Sequence, residues 1–225
     1  AKRFMSIPGA ASPLFLATTA GAAAGFEISR SLRFNPGDSA TLTRTQTSVG
    51  NRKIFTISLW AKKSQIGTTY EDLLSCRTGG QFRFIWEPNG NLEVYSNNGS
   101  ITTFHIDTVA LFRDPSAWYH FVVSVDATNT SVKFYVNGVE LTDFVVHTAV
   151  QNADTIVNTA TAHTIGKDPS GSYFSGYLAE FNFIDGQALD SSSFGEFDDN
   201  GVWQAIDTAG LTFGTNGFRL KFADN

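Results

Sequence analysis

The chain has 225 residues, and its 16 Lys and Arg against 21 Asp and Glu give a formal net charge of −5. That balance excludes nucleic acid as the expected partner, since gripping a phosphate backbone needs clustered cations that release counterions. With 42% hydrophobic and 16% charged residues, the composition fits neither a disordered nor a membrane-spanning chain. A chain of this length buries roughly 70% of its unfolded surface, enough for a core without covalent staples. Phe, Gly, Thr, Ser, Asn and Val dominate over the usual helix formers, which points to β structure. Cys76 is the only cysteine, so neither an intrachain disulfide nor a Cys-based zinc site can form.

Residues 1–25 read differently from the rest. After Lys2 and Arg3 there is no charge until Glu27, and small residues dominate, with Pro8 and Pro13 among them. The competing reading is a secretory signal: two cations, the apolar Leu14-Phe15-Leu16 and then Ala22-Ala23-Ala24. Pro8 and Pro13 break any continuous helix, and Ser6, Gly9, Ser12, Thr18 and Thr19 rule the stretch out as a membrane span. So poor an apolar segment cannot offset the entropy of ordering itself. Residues 1–25 are therefore expected to be an extended docking arm that gains order from a neighbouring subunit.

From residue 26 to 225 the signal is alternation and turns. Strands are predicted at Ser31–Asn35, Ala40–Arg44 and Lys53–Ala61. In the last of these Phe55, Ile57, Leu59 and Ala61 share one face, and Trp60 stands on the other. Gln81–Trp86, Asn91–Ser96 and Ser100–His105 follow, with turns at Asn89-Gly90 and Asn97-Asn98-Gly99. The clearest unit is a meander of His120–Val125, Ser131–Val136 and Val139–Leu141. Its first turn is Asp126–Thr130, and its second is a type I′ signal at Asn137-Gly138. His163–Gly166, Tyr173–Ile184 and Phe218–Phe222 complete the strands. Helical signals fall only at Asp190–Glu196, capped by Asp190 or Ser191, and at Val202–Ile206. Short strands at near-regular spacing predict one all-β domain, a sandwich or barrel.

Three stretches resemble the concanavalin A-like lectin/laminin G superfamily: Phe55-Thr56-Ile57-Ser58-Leu59-Trp60, Trp118-Tyr119-His120-Phe121 with Tyr135-Val136-Asn137-Gly138, and Gly176-Tyr177-Leu178-Ala179-Glu180-Phe181. The resemblance implies a jelly-roll sandwich of two antiparallel sheets. Ile28 to Phe34, Phe112 to His120, Gly176 to Leu189, Ser192 to Glu196 and Gly214 to Phe218 are closer still to lectin-like virion proteins of tailed, especially marine, bacteriophages. By that resemblance the chain is a virion structural protein, a capsid decoration or a tail or fibre component, assembled in the host cytoplasm. Its implied partners are other virion proteins, through residues 1–25, and host surface glycans; a homo-oligomer is expected, with neither membrane nor nucleic acid. The alternatives are a secreted carbohydrate-binding or adhesion domain and, as a minor one, a glycan hydrolase.

The superfamily includes glucan-cleaving enzymes, whose retaining members need two carboxylates about 5 Å apart. Glu71 and Asp72 are adjacent and point opposite ways on a strand. Glu196 and Asp198 alternate, but Asn200-Gly201 follows where the family's enzymes carry a further Glu, and the region reads as a turn after a short helix. His105, His120, His147 and His163 lack metal-ligand spacing, no Gly-x-Ser-x-Gly elbow occurs, and His120 and His163 read as structural. The expectation is a non-enzyme without cofactor or metal. Asp126, Asn129 and Asp168 are the only turn oxygens that suggest calcium, too few for its six to eight ligands. Sugar recognition combines an aromatic platform with amides and carboxylates. On that mixture the candidate ligand-binding residues are Trp86 with Asn89, Tyr95 with Asn97, and Tyr173 with Asp168.

Overall fold

The computed structural model describes residues 25–67 and 69–223. The expected docking arm lies almost wholly outside the described residues. The strands are β1 (Leu32–Phe34), β2 (Leu42–Thr45), β3 (Ile54–Lys63), β4 (Glu71–Arg77), β5 (Gln81–Trp86), β6 (Leu92–Asn97), β7 (Thr102–Thr108) and β8 (Tyr119–Asp126). They continue with β9 (Ser131–Val136), β10 (Val139–Glu140), β11 (Phe144–Ala149), β12 (Ala162–Ile165), β13 (Gly176–Asp185), β14 (Gly195–Phe197), β15 (Trp203–Ala205) and β16 (Phe218–Leu220).

Two seven-stranded sheets form the sandwich. The first runs β1-β13-β3-β8-β9-β10, with β16 also on β13; the second runs β11-β7-β6-β5-β4-β12-β2. All pairings in them are antiparallel. The chain changes sheet six times, between β1 and β2, β2 and β3, β3 and β4, β7 and β8, β10 and β11, and β12 and β13, as a jelly roll requires. The predicted fold class is therefore the observed one.

Period-2 patterning explains the core. Phe55, Ile57, Leu59 and Ala61 of β3 are fully buried, as are Phe121, Val123 and Val125 of β8. They face Phe82, Phe84, Val94 and Ile106 of the second sheet within one cluster. Phe84 meets Phe121 at 6.2 Å and Phe134 at 5.8 Å in edge-to-face geometry, the arrangement the ring quadrupole favours.

The outer face of the first sheet is partly roofed. The segment after β13 folds back over it, so Val122, Tyr135, Ile184 and Phe194 form a second buried cluster. Asp190 caps one 3-10 turn at Ser191–Ser193 by accepting the Ser192 N–H. The helical signal at Val202–Ile206 is overturned: Trp203–Ala205 is β15, paired with β14 in a two-stranded ribbon. Tertiary contact outweighs local propensity here, because Trp203 is drawn onto the sheet. Glu196 likewise lies on β14, not in the turn its sequence suggested.

Strands β4 and β11 escape sequence reading for opposite reasons. All but the last residue of β4 are buried, so no alternation is visible, while β11 is an edge strand with no buried residue. Asn137 and Gly138 both adopt positive φ, 46° and 85°, as the type I′ turn demands. Gly138 has a second role: a Cβ there would collide with the Trp203 ring.

Candidate functional site

The roof over the first sheet is incomplete, and the gap is a trough of about 910 Å³. Its floor follows from register. Trp60 of β3 stands between Ala179 of β13 and His120 of β8, on the outer face the alternation assigns it. One wall is the extended segment Gly25–Ser31, and the other is the β14–β15 ribbon, with Trp118 also lining the space.

The ribbon is held by a buried polar stack. The Trp203 indole N–H donates to His120 Nδ1 at 3.0 Å, so the proton of the neutral imidazole sits on Nε2 and is donated to Ser58 Oγ at 2.9 Å. Trp60 stacks on the same imidazole, with centroids 4.9 Å apart. Burial pushes the His120 pKa down to about 3, because desolvation penalises the imidazolium. His120 is thus a satisfied structural histidine that anchors both the floor and one wall.

The opposite wall is tied down through Arg219. Its guanidinium lies 5.5 Å from the Phe26 ring centroid and pairs with Glu180 at 2.7 Å and Asp207 at 2.6 Å. Glu180 itself has φ of 44°, within a register shift of β13 between Ala179 and Asn182. A bulge beside a cleft re-aims side chains, and here it falls next to the Ala179 floor.

Aromatic surface and polar groups meet in this trough. Trp118 is 36% and Phe197 52% exposed, with Trp60 half-buried between the walls. Glu196, Asp199 and Gln204 line the same space. Asp198 is committed to its own turn, accepting the N–H groups of Asn200 and Val202 at 2.9 and 2.8 Å. Those bonds hold its carboxyl below the usual carboxylate range, which suits an ionised acceptor and not a general acid.

The sequence-predicted site residues lie elsewhere. Trp86 is wholly buried in the core, and its indole N–H donates to the Phe112 carbonyl at 3.1 Å; no ring face is left for a sugar. Asn89 and Asn97 serve their own turns, accepting from Asn91 N–H at 3.3 Å and Gly99 N–H at 2.7 Å. Tyr95 is half-buried, edge-on to His105, with its hydroxyl 3.1 Å from Thr102 Oγ1. Asp168 is buried and paired with Arg77 at 2.7 Å, and Lys167 covers the Tyr173 ring at 4.8 Å. Tyr95 is opposite Arg83 in register, and Arg83 lies 3.8 Å from Asp168, which sits in the loop after β12. Tyr173 stays local to Asp168 through the Lys167–Tyr173 bridge, whereas buried Trp86 presents no surface. Among the described residues no group of three or more His, Cys, Asp or Glu is placed to hold a metal ion.

The two seven-stranded sheets agree with a family-model match over residues 35–192, to the concanavalin A-like lectin/glucanases superfamily. The chain belongs to that superfamily. No curated protein matches it. Domains LG4-5 of the mouse laminin alpha1 chain are similar at TM-score 0.51 and 15% identity, covering 84% of this chain and 46% of that one. The binding domain of botulinum neurotoxin serotype G is similar at 0.51 and 12% identity, over 72% and 40% of the two chains. A CBM40 of Ruminococcus gnavus sialidase, bound to sialyllactose, is similar at 0.45 and 15%, over 61% and 89%. At such identities the likeness is one of fold alone.

The trough draws on residues outside the three candidate loops. Trp60 was legible as an aromatic on the polar face of a strand, and Glu196 as an alternating acid. Phe197 carried no signal, because nothing local reveals that its strand is a two-stranded ribbon.

Proposed function

We propose that this lectin-like domain is a saccharide-binding module carried on a bacteriophage particle. One observation supports the binding half: Trp60, Trp118 and Phe197 share a single cavity with Glu196, Asp199 and Gln204. Aromatic faces match the apolar faces of pyranose rings, and carboxylates and amides accept from or donate to their hydroxyls. A cavity of this size and mixed character suits a small ligand. Asp198 is spent on the N–H groups of its own turn, which supports a positioning role for it over that of a free nucleophile. The virion half rests on the sequence resemblance, with residues 1–25 as the docking arm. Many copies on one particle turn weak individual contacts into tight attachment.

A glycan array probed with a multimerised form of the whole chain tests the binding half. Trp118→Ala and Phe197→Ala, both at exposed positions, are each expected to lower the signal about tenfold or more. An array silent for the native chain overturns the reading. The virion half is tested by deleting residues 1–25: the sandwich is expected to fold and incorporation into particles to fail. Normal incorporation of the truncated chain removes the arm's role.

A further inference from the structure

The charge around the trough carries the saccharide reading one step further, to the class of sugar, and this step depends on that reading. Among the described residues, four carboxylates line the space, on Glu27, Glu196, Asp198 and Asp199, against one cation, Arg30. Asp198 stays ionised because backbone N–H groups hold it. Among the described residues, two neighbouring cations are already engaged with carboxylates outside the trough. Arg219, behind the Gly25–Ser31 wall, is spent on Glu180 and Asp207. Lys62, the next outward residue on β3, acts on Asp114. The aromatic walls add to the same preference, since the faces of Trp and Phe attract cations.

We infer that the trough selects saccharides bearing a free amine, such as 2-amino-2-deoxy sugars, and turns away anionic ones. A protonated amine on a ring stacked against Trp60 or Trp118 would sit among the Glu196 and Asp199 carboxylates. A sulfate, uronate or sialate would meet like charge from the same groups. Exposed pairs of this kind are each worth up to about fivefold in an equilibrium constant and are screened by salt.

The test titrates the whole chain calorimetrically at pH 6 with three trimers of comparable size: β-1,4-linked glucosamine, its N-acetylated form and a uronic acid trimer. The amine trimer is expected to bind at least fivefold tighter than the N-acetylated one, with the margin shrinking in 0.5 M salt. The uronate is expected not to bind. In the double variant Glu196→Gln with Asp199→Asn, circular dichroism checking its fold, the ratio is expected to fall toward one. Equal or tighter binding of the N-acetylated or uronate trimer overturns charge selection while leaving saccharide binding intact. Binding of tri-lysine as tight as the amine trimer overturns it in favour of a basic peptide ligand. Binding of none of the three sugars overturns the saccharide reading as well.

Discussion

Trp203 donates its indole N–H to His120 Nδ1 at 3.0 Å, and in doing so joins the β14–β15 ribbon to the outer face of the first sheet. The bond also selects the imidazole tautomer, since a nitrogen that accepts cannot carry the proton. Trp203→Phe keeps most of the ring but strands a buried acceptor, a loss of about 1–3 kcal/mol. The expected outcome is a lower urea midpoint together with a changed His120 15N pattern by NMR. An unchanged Nδ1 shift would mean that the bond does not form in solution.

The depressed His120 pKa, about 3 against an ordinary 6.5, gives a pH dependence with a definite sign. Between those values the unfolded chain binds a proton that the folded chain refuses, so stability rises with pH across the window. The contribution is complete above about pH 6.5 and is lost as the medium acidifies, at up to about 1.4 kcal/mol per pH unit. Asp72 works against it: burial pushes that carboxyl up to about 6 despite the Arg83 ion pair, so its penalty disappears in acid. Subtracting the stability–pH profile of His120→Gln from that of the native chain isolates the histidine. The difference should fall steadily from pH 6.5 to pH 4; a flat difference refutes the assignment.

Asp185, buried at the end of β13, gathers three segments distant in sequence. Its Oδ1 accepts from Asn51 N–H at 2.8 Å and from Asn158 Nδ2 at 2.5 Å, and its Oδ2 accepts from Asn216 N–H at 3.0 Å. Asp185→Ala leaves three donors unpaired in the interior, so a loss of about 3 kcal/mol or more is expected by chemical denaturation. A loss below about 1 kcal/mol would mean that water takes over these donors.

Glu180→Ala tests the bulge beside the trough. The substitution leaves the buried Arg219 guanidinium with Asp207 as its remaining partner and keeps the positive φ, now without compensation. A destabilisation of about 3 kcal/mol is expected, with saccharide affinity falling alongside as the Gly25–Ser31 wall loosens. Lost stability with intact affinity would separate the bulge from the site.

How much was legible follows from where each signal resides. The inner face of β3 is written at every second residue, and the Asn137-Gly138 turn lies within two adjacent positions, so both could be read locally. The trough could not. Its floor at Trp60, its walls at Gly25–Ser31 and Glu196–Ala205, and Trp118 converge only after the chain has crossed between sheets several times. Trp86 misled for a related reason: at a strand end next to Glu87 and Asn89, an aromatic looks the same whether its face turns inward or outward. Only the phase of β5, set by Phe82 and Phe84, places it in the core.

The edge of β13 carries one more consequence. Strand β16 pairs with it at Phe181–Phe183 and β1 at Gly176–Leu178, both running antiparallel to it. Leu220, opposite Phe181, therefore points along the same line toward Leu32, opposite Leu178, across a gap of roughly 10 Å at about 3.4 Å per residue. A sandwich whose opening and closing strands meet in this way can be spliced as a cassette into a surface loop of another protein. Joined by a short linker and reopened at the exposed Gly99-Ser100 bend, it would become a circular permutant with the same two sheets.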